Sequence, residues 1–130
     1  KIRFAPFCVV AYLDLNDFKE INDRAGHFAG DEALRSMARF LRSSFRDNDQ
    51  IFRIGGDEFL ILIDFEREEE GRILEKRIGE IFQSKSEIEI PNGKLGYSYG
   101  IGWGPSSKLE ELIGQADKGM YARKAAVKGG

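Results

Sequence analysis

Residues 7 to 15, Phe-Cys-Val-Val-Ala-Tyr-Leu-Asp-Leu, form an almost unbroken apolar run. Its β-branched and aromatic content predicts a buried strand ending in Asp14. Residues 16–26 then read as one short helix stopped near Gly26. Leu34, Met37, Ala38, Leu41 and Phe45 recur at helical spacing and predict an amphipathic helix from about 29 to 45, its polar face carrying Arg35, Arg39 and Arg42. Two strands, QIFRI and EFLILI, follow on either side of GGD, and the glycine pair is expected to supply the positive φ angles of a hairpin. A charged stretch, EREEEGR, leads into a helix with Leu74, Ile78, Ile81 and Phe82 on one face. EIEI and KLGYSYGIGW are two further strands joined by the turn PNG. The last helix opens on a capping box, Ser107 to Glu110, and buries Leu109, Leu112, Ile113, Ala116 and Met120.

Hairpins mixed with crossover helices predict an α/β fold, specifically an α+β sandwich of the split βαβ kind. It has a mostly antiparallel central sheet of about five strands flanked by helices. At 130 residues the chain is sized for a single domain with one core. Its 20 basic and 22 acidic residues are dispersed, with a net charge of −2, which disfavours a nucleic-acid polymer as partner. Cys8 is the only cysteine and His27 the only histidine, so an internal disulfide and His-rich zinc sites are excluded. No apolar run approaches the roughly 20 residues that span a bilayer. The expectation is a cytoplasmic domain without membrane contact of its own, cut from a larger signalling protein whose membrane anchor, if any, lies elsewhere.

The stretch FRIGGDEFLILI carries the chemistry. Taken alone, Asp57 and Glu58 are ordinary polar residues at a turn. Asp14 changes that, because a charge ending a buried strand costs several kcal/mol unless it is paired or bound to a cation. If the hairpin neighbours the first strand, three carboxylates meet at one rim and repel unless a divalent metal joins them. Oxygen donors without His or Cys select Mg²⁺, which held by one or two carboxylates waits for substrate phosphates. Such sites serve phosphoryl or nucleotidyl transfer.

Five segments, DLNDFKEIND (14–23), GHFAGDEAL (26–34), RIGGDEF (53–59), YSYGIG (97–102) and ADKGMYARK (116–124), together resemble the GGDEF family of diguanylate cyclases. The resemblance implies a fold similar to nucleotide-cyclase and palm-type polymerase domains. It also implies condensation of two GTP into cyclic di-GMP with release of pyrophosphate, at the interface of two facing domains of a homodimer. By the family's pattern Asp14, the Leu15 carbonyl, Asp57 and Glu58 would hold Mg²⁺, with Mn²⁺ as a substitute. Glu58 would bind metal and Asp57 would orient or deprotonate the 3′-hydroxyl, a division that stays open. Gly55 and Gly56 would let the nucleotide approach the backbone. Asn22 and Asp31 match guanine-reading positions, and an amide with a carboxylate suits the guanine edge. The plain alternative is a turn cap at Asn22 and a helix first-turn acid at Asp31. Phe18, Lys19 and Lys124 match phosphate-loop and phosphate-binding positions. His27 reads as structural.

Arg46 and Asp49, with five residues between Asp49 and Gly55, match the family's R-x-x-D inhibitory site for cyclic di-GMP, and Arg77 matches the arginine that joins it. Otherwise these residues are a charged loop between helix and strand. The chain departs from the family pattern at Asn16, where an aspartate is usual, and at Val127 and Lys128, where Gly-Arg is usual. Two other readings follow from the same residues: a catalytically silent GGDEF domain that senses GTP or cyclic di-GMP, and a dimerisation module. A cyclase for an adenine or mixed dinucleotide is disfavoured by Asp31, whose carboxylate would face an acceptor nitrogen of adenine.

Overall fold

In the computed structural model, which describes residues 5–91 and 93–129, eight principal elements follow one another. They are β1 (Phe7–Leu15), α1 (Phe18–Ser44), β2 (Gln50–Arg53), β3 (Glu58–Phe65), α2 (Glu70–Ser84), β4 (Glu87–Ile90), β5 (Gly93–Pro105) and α3 (Leu109–Gly129). The strands form one sheet in the order β2-β3-β1-β5-β4, and every pairing is antiparallel. The expected α+β architecture is therefore present.

The apolar run at 7–15 forms the middle strand because both of its faces are covered. Val9, Ala11, Leu13 and Leu15 point toward α1 and α2, where they join Met37, Leu41, Ile78 and Phe82 in the larger core. Cys8 and Val10 point the other way and pack with Leu112 and Ala116 of α3. A strand with two dry faces has no polar side to alternate with, so its sequence is continuously apolar. Each large side chain fully buried this way contributes about 1.5–3 kcal/mol.

The two expected helices are present as the two segments of α1, which meet at a kink at Gly26, whose φ of 88° and ψ of 169° only glycine adopts readily. Several other local expectations need correction. The first turn of α1 follows Asp17, a non-glycine residue in the left-handed region with φ 57° and no side-chain cap bond. Neither Gly55 nor Gly56 has a positive φ; among the described glycines only Gly26 and Gly93 do. Their loop is longer than a two-residue hairpin turn, so the chain reverses without left-handed residues. The Ser107–Glu110 capping box does not form, because a 3-10 turn over Ser106–Lys108 feeds α3 directly and Ser106, rather than Ser107, bonds outward to the Ala5 carbonyl at 2.8 Å. The expected turn PNG includes Asn92, which lies outside the described residues.

The approach of α3 to the sheet depends on glycines of β5. A Cβ on Gly100 would lie 2.0 Å from the Ala116 carbonyl oxygen and 2.4 Å from the Met120 nitrogen, both backbone atoms of α3. Contacts that close oblige the helix to retreat. Gly100→Ala is therefore expected to cost about 3 kcal/mol in urea denaturation. Gly114→Ala, on the same helix with nothing within 4 Å of its Cβ position, is expected to stabilise by up to about 1 kcal/mol.

Candidate active site

The antiparallel register of β1 and β3 sets Asp14 directly opposite Glu58. Asp57 immediately precedes β3, and its carbonyl accepts from the Leu15 amide at 3.1 Å, which ties the glycine loop to the end of β1. The three carboxylates anticipated at one rim are thus neighbours, but they are held differently. Asp14 is 7% exposed. Its Oδ2 accepts from Lys124 Nζ of α3 at 2.6 Å, while its Oδ1 is buried without a hydrogen-bond partner. Asp57 lies against Asp14. Burial first, and then the neighbouring Asp14 carboxylate, push its carboxyl up to about 6, partly opposed by Lys124. Glu58 turns toward β1, where its Oε1 accepts from the Tyr12 hydroxyl at 3.2 Å. The Tyr12 phenol is pushed up to about 12, by burial first and then by the charges of Glu58 and Asp117, so it remains a donor near neutral pH.

Asp14 and Asp57 form a site with surplus negative charge and one oxygen that no protein group satisfies. Oxygen donors of this kind fit a hard divalent cation, and two carboxylates suffice for one that completes its shell with phosphate and water. Among the described residues no group of three or more His, Cys, Asp or Glu side chains is arranged to hold a metal ion.

The remaining residues singled out from the sequence fall into two groups. Phe18 packs against the larger core at the start of α1, and Lys19 beside it is exposed. The break at Gly26 brings the two segments of α1 together, so that a Cβ on Gly30 would lie 1.9 Å from Asn22 Oδ1. Asn22 therefore rests on the bare α-carbon next to Asp31, which is itself exposed. No hydrogen bond caps a turn through Asn22, contrary to the plain alternative. His27 is exposed, and so is Val127, while the side chain of Lys128 lies outside the described residues. Gly55 is close to the carboxylates, since a Cβ there would meet Glu58 Oε1 at 2.8 Å, whereas Gly56 faces open space.

Arg46, Asp49 and Arg77 lie apart from these carboxylates and line one cleft of about 580 Å³, with an apolar floor that includes Ile63, Phe65 and Ile78. Asp49 is partly engaged there, its Oδ2 accepting from the Arg46 amide at 2.9 Å in a local turn. The sequence placed Lys124 at a phosphate-binding position but not its pairing with Asp14, and it did not single out Tyr12. Lys124 continues the buried stripe Leu112, Ala116, Met120 by one more turn, and a lysine in such a stripe implies an acid beneath it. Tyr12 shares the alternating face of β1 with Asp14, a position legible once the strand's α3 side is known.

Comparison with known proteins bears on this arrangement. The family model described as diguanylate cyclase, GGDEF domain, matches residues 5–129. Diguanylate cyclase DgcS of Shewanella oneidensis is 36% identical over 117 residues, covering 88% of this chain and 38% of that protein. Cyclic di-GMP phosphodiesterase NbdA of Pseudomonas aeruginosa is 33% identical over 118 residues, covering 89% of this chain and 15% of that protein. The chain thus spans well under half the length of both relatives. A sensory box/GGDEF family protein from Caulobacter crescentus has a similar solved structure, with a TM-score of 0.75 at 28% identity over 93% of this chain and 80% of that one.

The ion pair generates a stability test. Replacing one partner of a buried pair strands the other charge, so Lys124→Met is expected to lose about 3 kcal/mol in urea denaturation. In an Asp14→Asn background the same substitution is expected to cost much less, and equal losses in both backgrounds would show the two side chains to be uncoupled.

Proposed function

Since the chain belongs to the GGDEF family of diguanylate cyclase domains, we propose that it condenses two GTP molecules into cyclic di-GMP with release of pyrophosphate. The observation that carries this reading is the buried Asp14, its Oδ1 unsatisfied, with the half-buried Asp57 beside it at the rim where β1 and the glycine loop meet. Asp14 and Glu58, with the Leu15 carbonyl, would hold Mg²⁺, and Mn²⁺ would serve in its place. When bound, that ion supplies charge neutralisation at the α-phosphate and acidifies a hydroxyl directed at it. The chain's own residues supply the rest. Asp57 stands beside Asp14, where burial and that neighbour raise its carboxyl above the usual carboxylate range and so make it a better base, suited to orienting the 3′-hydroxyl and receiving its proton. Lys124 carries positive charge to the same rim and would meet the triphosphate. Gly56, with open space beside it, leaves room for a nucleotide against the backbone. Asn22 and Asp31 would read guanine, with Phe18 and Lys19 beginning the phosphate loop. One domain holds one GTP, so turnover needs a homodimer of facing domains in which each 3′-hydroxyl attacks the other's α-phosphate.

A second reading has its own support. NbdA, a phosphodiesterase by name, resembles this chain nearly as closely as the cyclase does. In that reading the domain binds GTP or cyclic di-GMP as a sensor and converts neither. Incubation with GTP and Mg²⁺ in a dimerised form, followed by chromatography and mass spectrometry, separates the two. The cyclase is expected to yield cyclic di-GMP, and Asp57→Ala/Glu58→Ala is expected to reduce the yield by about 100-fold or more. Recovery of unreacted GTP despite measurable binding would establish the sensor.

We also propose that cyclic di-GMP inhibits by binding the separate cleft where Arg46, Asp49 and Arg77 converge. Guanidinium forks suit its phosphates and guanine edges. Arg46→Ala is expected to weaken cyclic di-GMP binding about 10-fold or more by isothermal titration calorimetry, as the loss of a charge-assisted hydrogen bond implies. Unchanged affinity would remove the cleft from the regulatory account.

A further inference from the structure

Tyr12 takes no part in the roles assigned so far, yet it holds one of the carboxylates on which they depend. It stands on the same face of β1 as Asp14 and packs with the cluster formed by Val10, Leu112 and Ala116. Its hydroxyl donates to Glu58 Oε1 at 3.2 Å. The same oxygen is close to the bare α-carbon of Gly55, where a Cβ would lie only 2.8 Å away. Glu58 Oε1 is therefore held by a phenol donor and lies over the space that the missing side chain of Gly55 leaves open. Glu58 Oε2 makes no hydrogen bond among the described residues.

We infer that Tyr12 is a positioning residue for the cation site, committing one oxygen of Glu58 to the protein and leaving the other to the metal. A free glutamate loses the freedom of several rotatable bonds when it ligates a metal, and a tether in the ligand-free state removes part of that loss beforehand. Hydrogen bonds to the outer side of a ligating carboxylate act in this way in metal sites generally, and their removal weakens binding by about 10–100-fold. The tether is anchored in turn, because the Tyr12 ring is packed under α3 and its hydroxyl has little room to follow a wandering carboxylate.

The inference rests on the cation site proposed above, and the test keeps the two separable. Mn²⁺ binding to the whole chain without nucleotide is followed by the electron paramagnetic resonance signal of the free ion, for the parent, Tyr12→Phe and Glu58→Gln. Phenylalanine keeps the ring that packs against Val10 and Leu112, and circular dichroism verifies that both variants retain the fold. Tyr12→Phe is expected to raise the Mn²⁺ dissociation constant about 10-fold or more, with Glu58→Gln doing at least as much. If Glu58→Gln weakens binding and Tyr12→Phe leaves it unchanged or tightens it, Tyr12 has no positioning role and the cation site stands. If neither variant alters Mn²⁺ binding, the participation of Glu58 in the cation site falls, and the inference falls with it.

Discussion

A carboxylate at the end of the central, doubly covered strand is the constraint on which the rest of this structure depends. Asp14 lies where β1 is paired on both sides, opposite Glu58 of β3 and Ser98 of β5, and is buried there. An unpaired charge in that position is expensive, so the fold brings Lys124 across from α3 to meet it. That meeting requires α3 to run close over the sheet, which only a strand without side chains at Gly100 allows. Ion pair, helix position and glycine pattern are three parts of one solution. The pairing is incomplete, because a lysine serves one oxygen of Asp14 and leaves the other without a partner.

Most of this architecture was legible in the sequence because each element has a single dominant cause. Continuous apolar character marked β1, helical spacing marked the faces of α1, α2 and α3, and turn residues separated the strands. The failures share a physical origin. The Ser106–Lys108 turn is shaped by the bonds of Ser106 to the Ala5 and Pro6 carbonyls, and Gly55 and Gly56 by the loop's length rather than by glycine's intrinsic preference. The adjacency of Asp14, Asp57 and Glu58 followed from assuming that the hairpin neighbours the first strand, and the register bears out that adjacency. The directions in which these side chains turn were not legible, since a strand register fixes Cα positions and leaves χ angles to local donors. Lys124 and Tyr12 are those donors, and they come from elements 110 and 46 residues distant from their acids.

The two faces of the sheet divide the labour. The face toward α1 and α2 is dry, aromatic and closely packed, with Phe82 ringed by Tyr97, Tyr99 and Phe45. The opposite face carries a small core at one end and, toward the other, the polar series Tyr12, Asp14 and Lys124. Stability resides mainly in the first, which leaves the second able to carry unfavourable charge. An interior that had to supply both on one face would lose packing for each acid it admitted.

The state of the carboxylates then sets what a cation and nucleotide must do on arrival. Lys124 holds Asp14 Oδ2, Asp57 is driven toward protonation by its neighbour, and Glu58 is tethered by Tyr12. In the proposed function a divalent ion would meet Asp14 at Oδ1 without competing with a protein hydrogen bond, because that oxygen has none. Under that proposal a second positive charge at Asp14 would weaken the attraction that keeps Lys124 there and would lower the Asp57 carboxyl that Asp14 helps to raise. Loading with the cation would therefore free a lysine and a carboxylate together. Both belong at the same rim as the phosphates that would accompany the ion, so the energetic cost of the unsatisfied ligand-free site becomes a driving force for assembling the loaded one.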